Sequence, residues 1–74
     1  MDNRTLKEFK QFIKDDFWIT KNYPNLLALY ENRYIAVRNE KVLDNDPDQL
    51  QLIYRLQKIY GKDKISNIQI DLIH

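Results

Sequence analysis

Residues 33–49 read Arg33-Tyr34-Ile35-Ala36-Val37-Arg38-Asn39-Glu40-Lys41-Val42-Leu43-Asp44-Asn45-Asp46-Pro47-Asp48-Gln49, and the fold class turns on them. The span 33–38 is β-branched and aromatic. It sets Ile35 and Val37 on one face and Tyr34 and Ala36 on the other, the pattern of a central strand. Asn39-Glu40 then separates it from 41–45, and two residues led by Asn suit a tight hairpin, although Asn-Gly would be the stronger turn signal. Asp46 to Gln49 combines an N-cap carboxylate, Pro at the first helical position, a further acid and a Gln three residues on, so a helix is expected to start at Pro47.

Downstream, Leu50, Ile53, Tyr54, Leu56 and Tyr60 carry that helix to residue 60, where Gly61 supplies the left-handed residue that commonly follows a helix. Residues 65–73 alternate: Ile68, Ile70 and Leu72 face one way, Asn67, Gln69 and Asp71 the other, as in a half-buried strand. Upstream, Pro24 suits the first turn of a short helix over 24–31. Leu6, Phe9, Phe12, Ile13, Phe17 and Ile19 fall within less than half of a helical wheel, which makes 3–21 an amphipathic helix with these residues turned to the core. Asp16 interrupts that apolar side, so the helix ends near Asp15, bends there, or uses Asp16 as a cap.

The expected architecture is α+β, a single 74-residue domain built as a two-layer sandwich. If the 47–60 helix makes a right-handed crossover, the last strand lies parallel to the second and pairs with the first. This gives a mixed three-stranded sheet in the order 2-1-3.

Composition bounds the function. A chain this short buries a thin core, and with no Cys and one His it has neither disulfides nor the ligands of an ordinary zinc site to reinforce it. Good packing or self-association is what remains. Twelve basic residues against eleven acidic ones leave a net charge of +1, so no global field draws the chain to nucleic acid or an anionic membrane. The N-terminal residues lack a signal-peptide core and no apolar run is long enough to cross a bilayer, which makes the cytoplasm the expected compartment. Plentiful Lys, Ile, Tyr and Asn are compatible with a thermophile or an AT-rich genome.

The run Leu26-Leu27-Ala28-Leu29-Tyr30-Glu31-Asn32-Arg33-Tyr34-Ile35-Ala36-Val37-Arg38-Asn39-Glu40-Lys41-Val42, then Asp46 to Gln49, then Lys58-Ile59-Tyr60-Gly61, resembles a family of short prokaryotic, often archaeal, domains of unknown function. The resemblance spans about residues 23–72 and departs from the family pattern at Asn39-Glu40, where a Gly-containing turn is usual. It implies a hairpin-helix-strand core and no activity.

No catalytic set emerges. Asp44, Asn45, Asp46 and Asp48 open like a calcium loop, but its sixth and twelfth positions would be Gln49 and Arg55 in place of Gly and Glu, so they read as strand end and helix cap. Asp15 and Asp16 are adjacent on a helix and diverge. They read as a solvated face or cap, with Asp16, on the apolar side, needing a partner such as Lys, Arg or a backbone N–H. The hydroxyls of Thr5, Thr20 and Ser66 have only the terminal His74 as a base, and one Gly cannot build a phosphate-cradling loop.

The first helix carries the main candidate surface. Arg4, Lys7, Lys10, Lys14 and Lys21 share about one third of its wheel with Trp18. Such a face could bind phosphates or lipid headgroups, or could leave its lysines solvated with Trp18 folded back onto the second helix. Leu52, Ile59 and Tyr34 form a second, apolar candidate, because the 47–60 helix is apolar over more than half its circumference. The leading expectation is a non-enzymatic interaction module, without cofactor or metal, acting through an unidentified protein partner or as a homodimer. The alternative is a nucleic-acid or anionic-surface binder using the basic face.

Overall fold

A computed structural model describes residues 5–74. Its elements run α1 (Leu6–Lys21), α2 (Tyr23–Tyr30), β1 (Arg33–Val37), β2 (Val42–Asp46), α3 (Gln49–Tyr60), a 3₁₀ turn (Ile65–Asn67) and β3 (Gln69–Ile73). The α+β class and the strand order β2-β1-β3 are as expected. Both pairings of β1 are antiparallel. β3 does run in the direction of β2, but β1 lies between them, so the sheet is antiparallel and not mixed.

The two faces of β1 explain the layers. Ile35 and Val37 join Ile19, Leu26 and Ile73 in one buried cluster, against which Trp18, Tyr23, Leu27 and Tyr30 pack. Ala36 joins Leu52, Leu56 and Ile68 in another, with Tyr34, Leu43, Ile65 and Ile70 beside it. Helices therefore cover both sides of the sheet, α1 and α2 on one and α3 on the other, which gives three layers where two were expected. Tyr34 and Ala36 lie on the face that α3 covers.

Local chemistry sets the element ends. Thr5 is the N-cap of α1: its hydroxyl accepts the Glu8 N–H and the Glu8 carboxylate accepts the Thr5 N–H, a capping box that starts α1 at residue 6, while positions 3 and 4 of the expected span lie outside the described residues. α1 continues unbroken through Asp15 and Asp16 to Lys21. Asn22 then ends α1 and starts α2, its side-chain amide and its backbone N–H both donating to the Trp18 carbonyl. This shared residue begins α2 at Tyr23, one position earlier than expected.

The β1–β2 connection is a two-residue turn with φ of 55° at Asn39 and 59° at Glu40, and Arg38 N–H donates to the Lys41 carbonyl at 3.1 Å. Positive φ at both central residues is the backbone of a type I′ hairpin. The register slips between Ala36 and Val37, so Val37 faces Val42 while Ala36 faces Asp44. Leu43 is the extra residue of this bulge, and the slip turns Asp44 and Asp46 toward α3. There Arg55 meets Asp44 at 3.0 Å and Asp46 at 2.7 Å. Asp46 thus ends β2, and α3 starts at Gln49 with Asp48 as its N-cap, two residues later than expected.

At the other end of α3, Gly61 holds φ 86° and ψ 153°, beyond the left-handed helical region and in backbone space that is nearly exclusive to Gly. Residues 65–67 form a 3₁₀ turn and the last strand is confined to 69–73, shorter than the expected 65–73. The C-terminal residue is tied down: the Tyr23 hydroxyl donates to the His74 carbonyl at 2.9 Å and accepts its N–H at 3.1 Å.

Candidate interaction face of the first helix

The side of α1 that packs on the sheet is turned from the one expected: of the six apolar residues expected inside, Phe12 and Ile19 are there and the other four are not. Its inward residues are Glu8, Gln11, Phe12, Asp15, Trp18, Ile19 and Asn22, spaced three and four apart. Asp15 is completely buried, whereas Leu6, Phe9, Ile13 and Phe17 stand 70%, 45%, 52% and 70% exposed. The helix is turned so that polar groups with specific partners lie inside and four large apolar groups lie outside.

Each inward polar residue has a task. The Asp15 carboxylate accepts the backbone N–H of Asn39 at 3.2 Å and of Glu40 at 2.8 Å, and the Gln11 amide donates to it at 2.9 Å. It is Asp15, and not Asp16, that lies inside and needs a partner. Asp16 is exposed and accepts from the Gln69 amide at 2.8 Å. Glu8 accepts from the Asn67 side chain as well as from Thr5. Its carboxyl is held below the ordinary value, first by the Thr5 backbone N–H and the Thr5 hydroxyl, with smaller help from Asn67 and Lys64.

The lysines line one flank of the exposed stripe. Lys7, Lys10, Lys14 and Lys21 are all exposed. Lys14 and Lys21 share a shallow groove with Ile13, Phe17, Trp18 and Glu40. Leu6, Lys7, Lys10, Gln11 and Lys14 border a second groove further along. Arg4 lies outside the described residues. Trp18 is half-buried and packed on the core shared with α2, as the folded-back reading required, with part of the ring still lining the groove.

The second candidate set does not stay together. Leu52 is fully buried against Ala36 and Leu56, so it is core and offers nothing to a partner. Tyr34 is half-buried beside the same cluster. Only Ile59 is open, and it borders a cleft of about 630 Å³ with Glu8, Arg38, Lys41, Tyr60 and Lys64.

Chemically, the hydroxyls are engaged locally: Thr5 caps α1, Thr20 donates to the Asp16 carbonyl at 3.2 Å, and Ser66 donates to the Asp63 carbonyl at 3.5 Å. Among the described residues no three His, Cys, Asp or Glu side chains gather as a metal site would require. Asp44, Asp46 and Asp48, the loop with a calcium-like opening, serve Arg55 and the start of α3. Asp46 is held below its ordinary value, first by the Asp48 backbone N–H and next by Arg55. No helix among the described residues is long and apolar enough to cross a membrane.

No family model matches the sequence, and no curated protein or solved structure matches it either.

The exposed stripe left one trace in the sequence. Glu8, Gln11, Asp15 and Asn22 repeat at helical spacing just as the apolar residues do, and a helix with two such periodic sets has two faces that need partners. Hydrophobicity alone assigns the apolar set to the core. The partners of Asp15, the N–H groups of the turn at residues 39 and 40, lie 24 and 25 positions further along the chain.

Proposed function

We propose that this chain is a small non-enzymatic interaction module, and that it works through the outer face of α1. The observation that carries this reading is the exposed stripe of Leu6, Phe9, Ile13 and Phe17. Single exposed apolar residues are ordinary, but four large ones aligned on one helix form a contiguous apolar patch of the kind that marks contact sites. The sheet is already covered by the opposite side of the same helix, which leaves much of their surface open. The absence of Cys in the sequence is compatible with a reducing compartment, and we place the module in the cytoplasm.

A nucleic-acid or anionic-surface reading has one observation in its favour, the row of exposed lysines. It is the weaker of the two, because Trp18 is packed on the core and leaves only part of its surface open for stacking.

The test is site-specific photo-crosslinking in cells that express the protein naturally. A crosslinking residue at position 13 or 17 should yield discrete protein adducts that the same residue at the exposed position 51 of α3 does not. Equal labelling from all three positions would overturn the reading.

A further inference from the structure

Building on the reading of α1 as a docking surface, we propose that its occupant is an acidic amphipathic helix of a partner protein. Leu6, Phe9, Ile13 and Phe17 follow one another at intervals of three, four and four residues, and Lys7, Lys10, Lys14 and Lys21 at three, four and seven. Both rows keep the helical repeat, so the complementary object is a rod with the same repeat. At 1.5 Å per residue the stripe is about 16 Å long, roughly three turns of a partner helix. Apolar anchors of that helix lie along the stripe, and its carboxylates lie along one edge, opposite the lysines. The lysine stems extend the apolar ground while their ammonium groups reach the partner's acids.

Charge selects this occupant over a second copy of the chain. The lysines sit on one flank only, whereas the other flank carries Asp16. Two copies related by a two-fold axis present the same patch to each other. If their α1 helices run antiparallel, lysine flank meets lysine flank. If they run parallel, four lysines meet a single Asp16 that is already bonded to Gln69. The antiparallel arrangement sets like charge against like along the seam, which opposes pairing, and the parallel one offers four lysines far fewer carboxylates than an acidic helix supplies. A lipid surface fits less well too. A helix lying in an anionic interface benefits from basic residues on both flanks, and here Asp16 on one side and Glu40 in the groove on the other would press against the headgroups.

Two synthetic 21-residue helical peptides test the proposal. Both carry Leu at the stripe-facing positions, one has Glu along the flank, and the other has Lys in place of each Glu. Binding is followed through Trp18 fluorescence and sedimentation at low and high salt. The Glu peptide should bind at least about ten-fold more tightly at low salt and lose that advantage at high salt, and the triple variant K7E/K10E/K14E should reverse the preference. The proposal is overturned by equal affinity for both peptides, by no binding of the Glu peptide, by self-association through α1, or by binding to phosphatidylglycerol vesicles or a duplex oligonucleotide in preference to the Glu peptide. Phe17→Glu, whose fold is checked by circular dichroism, separates this failure from failure of the docking face. If that variant abolishes whichever contact is found, the face stands and only its occupant is wrong. If it leaves every contact unchanged, both readings fall.

Discussion

Asp15 reaches across the structure to the backbone N–H of Glu40, 25 positions later in the chain, and accepts it at 2.8 Å from a completely buried carboxylate. The same carboxylate takes the Asn39 N–H and the Gln11 amide, so one side chain fixes the orientation of α1 and supports a strained turn. Asp15→Ala removes a charged acceptor from three donors and opens a small void. Hydrogen bonds to a charged group contribute about 1.5–3 kcal/mol each, and water recovers part of this at the turn, so a loss of about 3 kcal/mol is expected in urea unfolding. Asp15→Asn should also destabilise, because its amide places an N–H₂ among N–H donors. A loss below about 0.5 kcal/mol for either variant would show that the turn supports itself.

Glu40 occupies a backbone conformation that favours Gly. At φ 59° a residue with a Cβ is strained by about 1–2 kcal/mol, part of which a Gly substitution returns to unfolded-chain entropy. The Asp15 bond uses the main-chain N–H of residue 40 and survives the change. Glu40→Gly should therefore raise stability by about 0.5–1 kcal/mol, read as a higher melting temperature.

Gly61 is the converse case. An added Cβ meets no atom within 4 Å, so any cost is conformational and not steric crowding. Gly61→Ala is expected to destabilise by about 1–3 kcal/mol, the usual penalty for a side chain in that region of backbone space. Asn at the same position gives little relief, since ψ of 153° lies far from the left-handed helical region that Asn tolerates.

Leu52 and Phe17 separate core from surface. Leu52→Ala should cost about 2–5 kcal/mol, as for other fully buried leucines. Phe17→Ala, on a ring that stands 70% exposed, should stay within about 0.5 kcal/mol. Paired denaturation curves measure both, and a large loss at Phe17 would mean that its ring packs on the chain.

Glu8 and Asp46 set the response to acid. Both titrate below their ordinary values of 4.5 and 3.8 in the folded chain, so the unfolded chain takes up protons first as pH falls. Their stabilising contribution is complete above the ordinary values and is lost as pH drops through the depressed ones. Melting temperature should fall progressively below about pH 4.5 and level off only in strong acid. Glu8→Gln keeps a capping-box side chain and should flatten the upper part of that limb; an unchanged profile would exclude Glu8 from it.

What the sequence reveals and what it hides have a common physical cause. The strand at 33–37 and its alternating faces follow from local composition and turn chemistry, which determine elements before any tertiary contact is made; the strand order comes from connectivity, and there the expected mixed sheet is in fact antiparallel. The start of α3 is displaced by two residues because Asp46 and Asp48 are both competent caps. The bulge at Leu43 and the Arg55 bridge draw Asp46 into the strand, and neither is a local property. The rotation of α1 is the largest departure. Its exposed apolar residues outweigh Phe12 and Ile19 on any hydrophobic scale, and the partners of Glu8 and Asp15 on other elements accompany a helix turned the other way. The lysine row is legible from spacing alone; its position beside an open apolar stripe is not.

Because α1 keeps the groups that hold the fold on its inner side and the large apolar groups on its outer side, selection can act on the two sides separately. Leu6, Phe9, Ile13 and Phe17 are free to change with the demands of a partner while Glu8, Asp15, Ile19 and Asn22 preserve the scaffold. Related chains would then be expected to vary most where this helix is most hydrophobic, the reverse of the pattern that core residues produce.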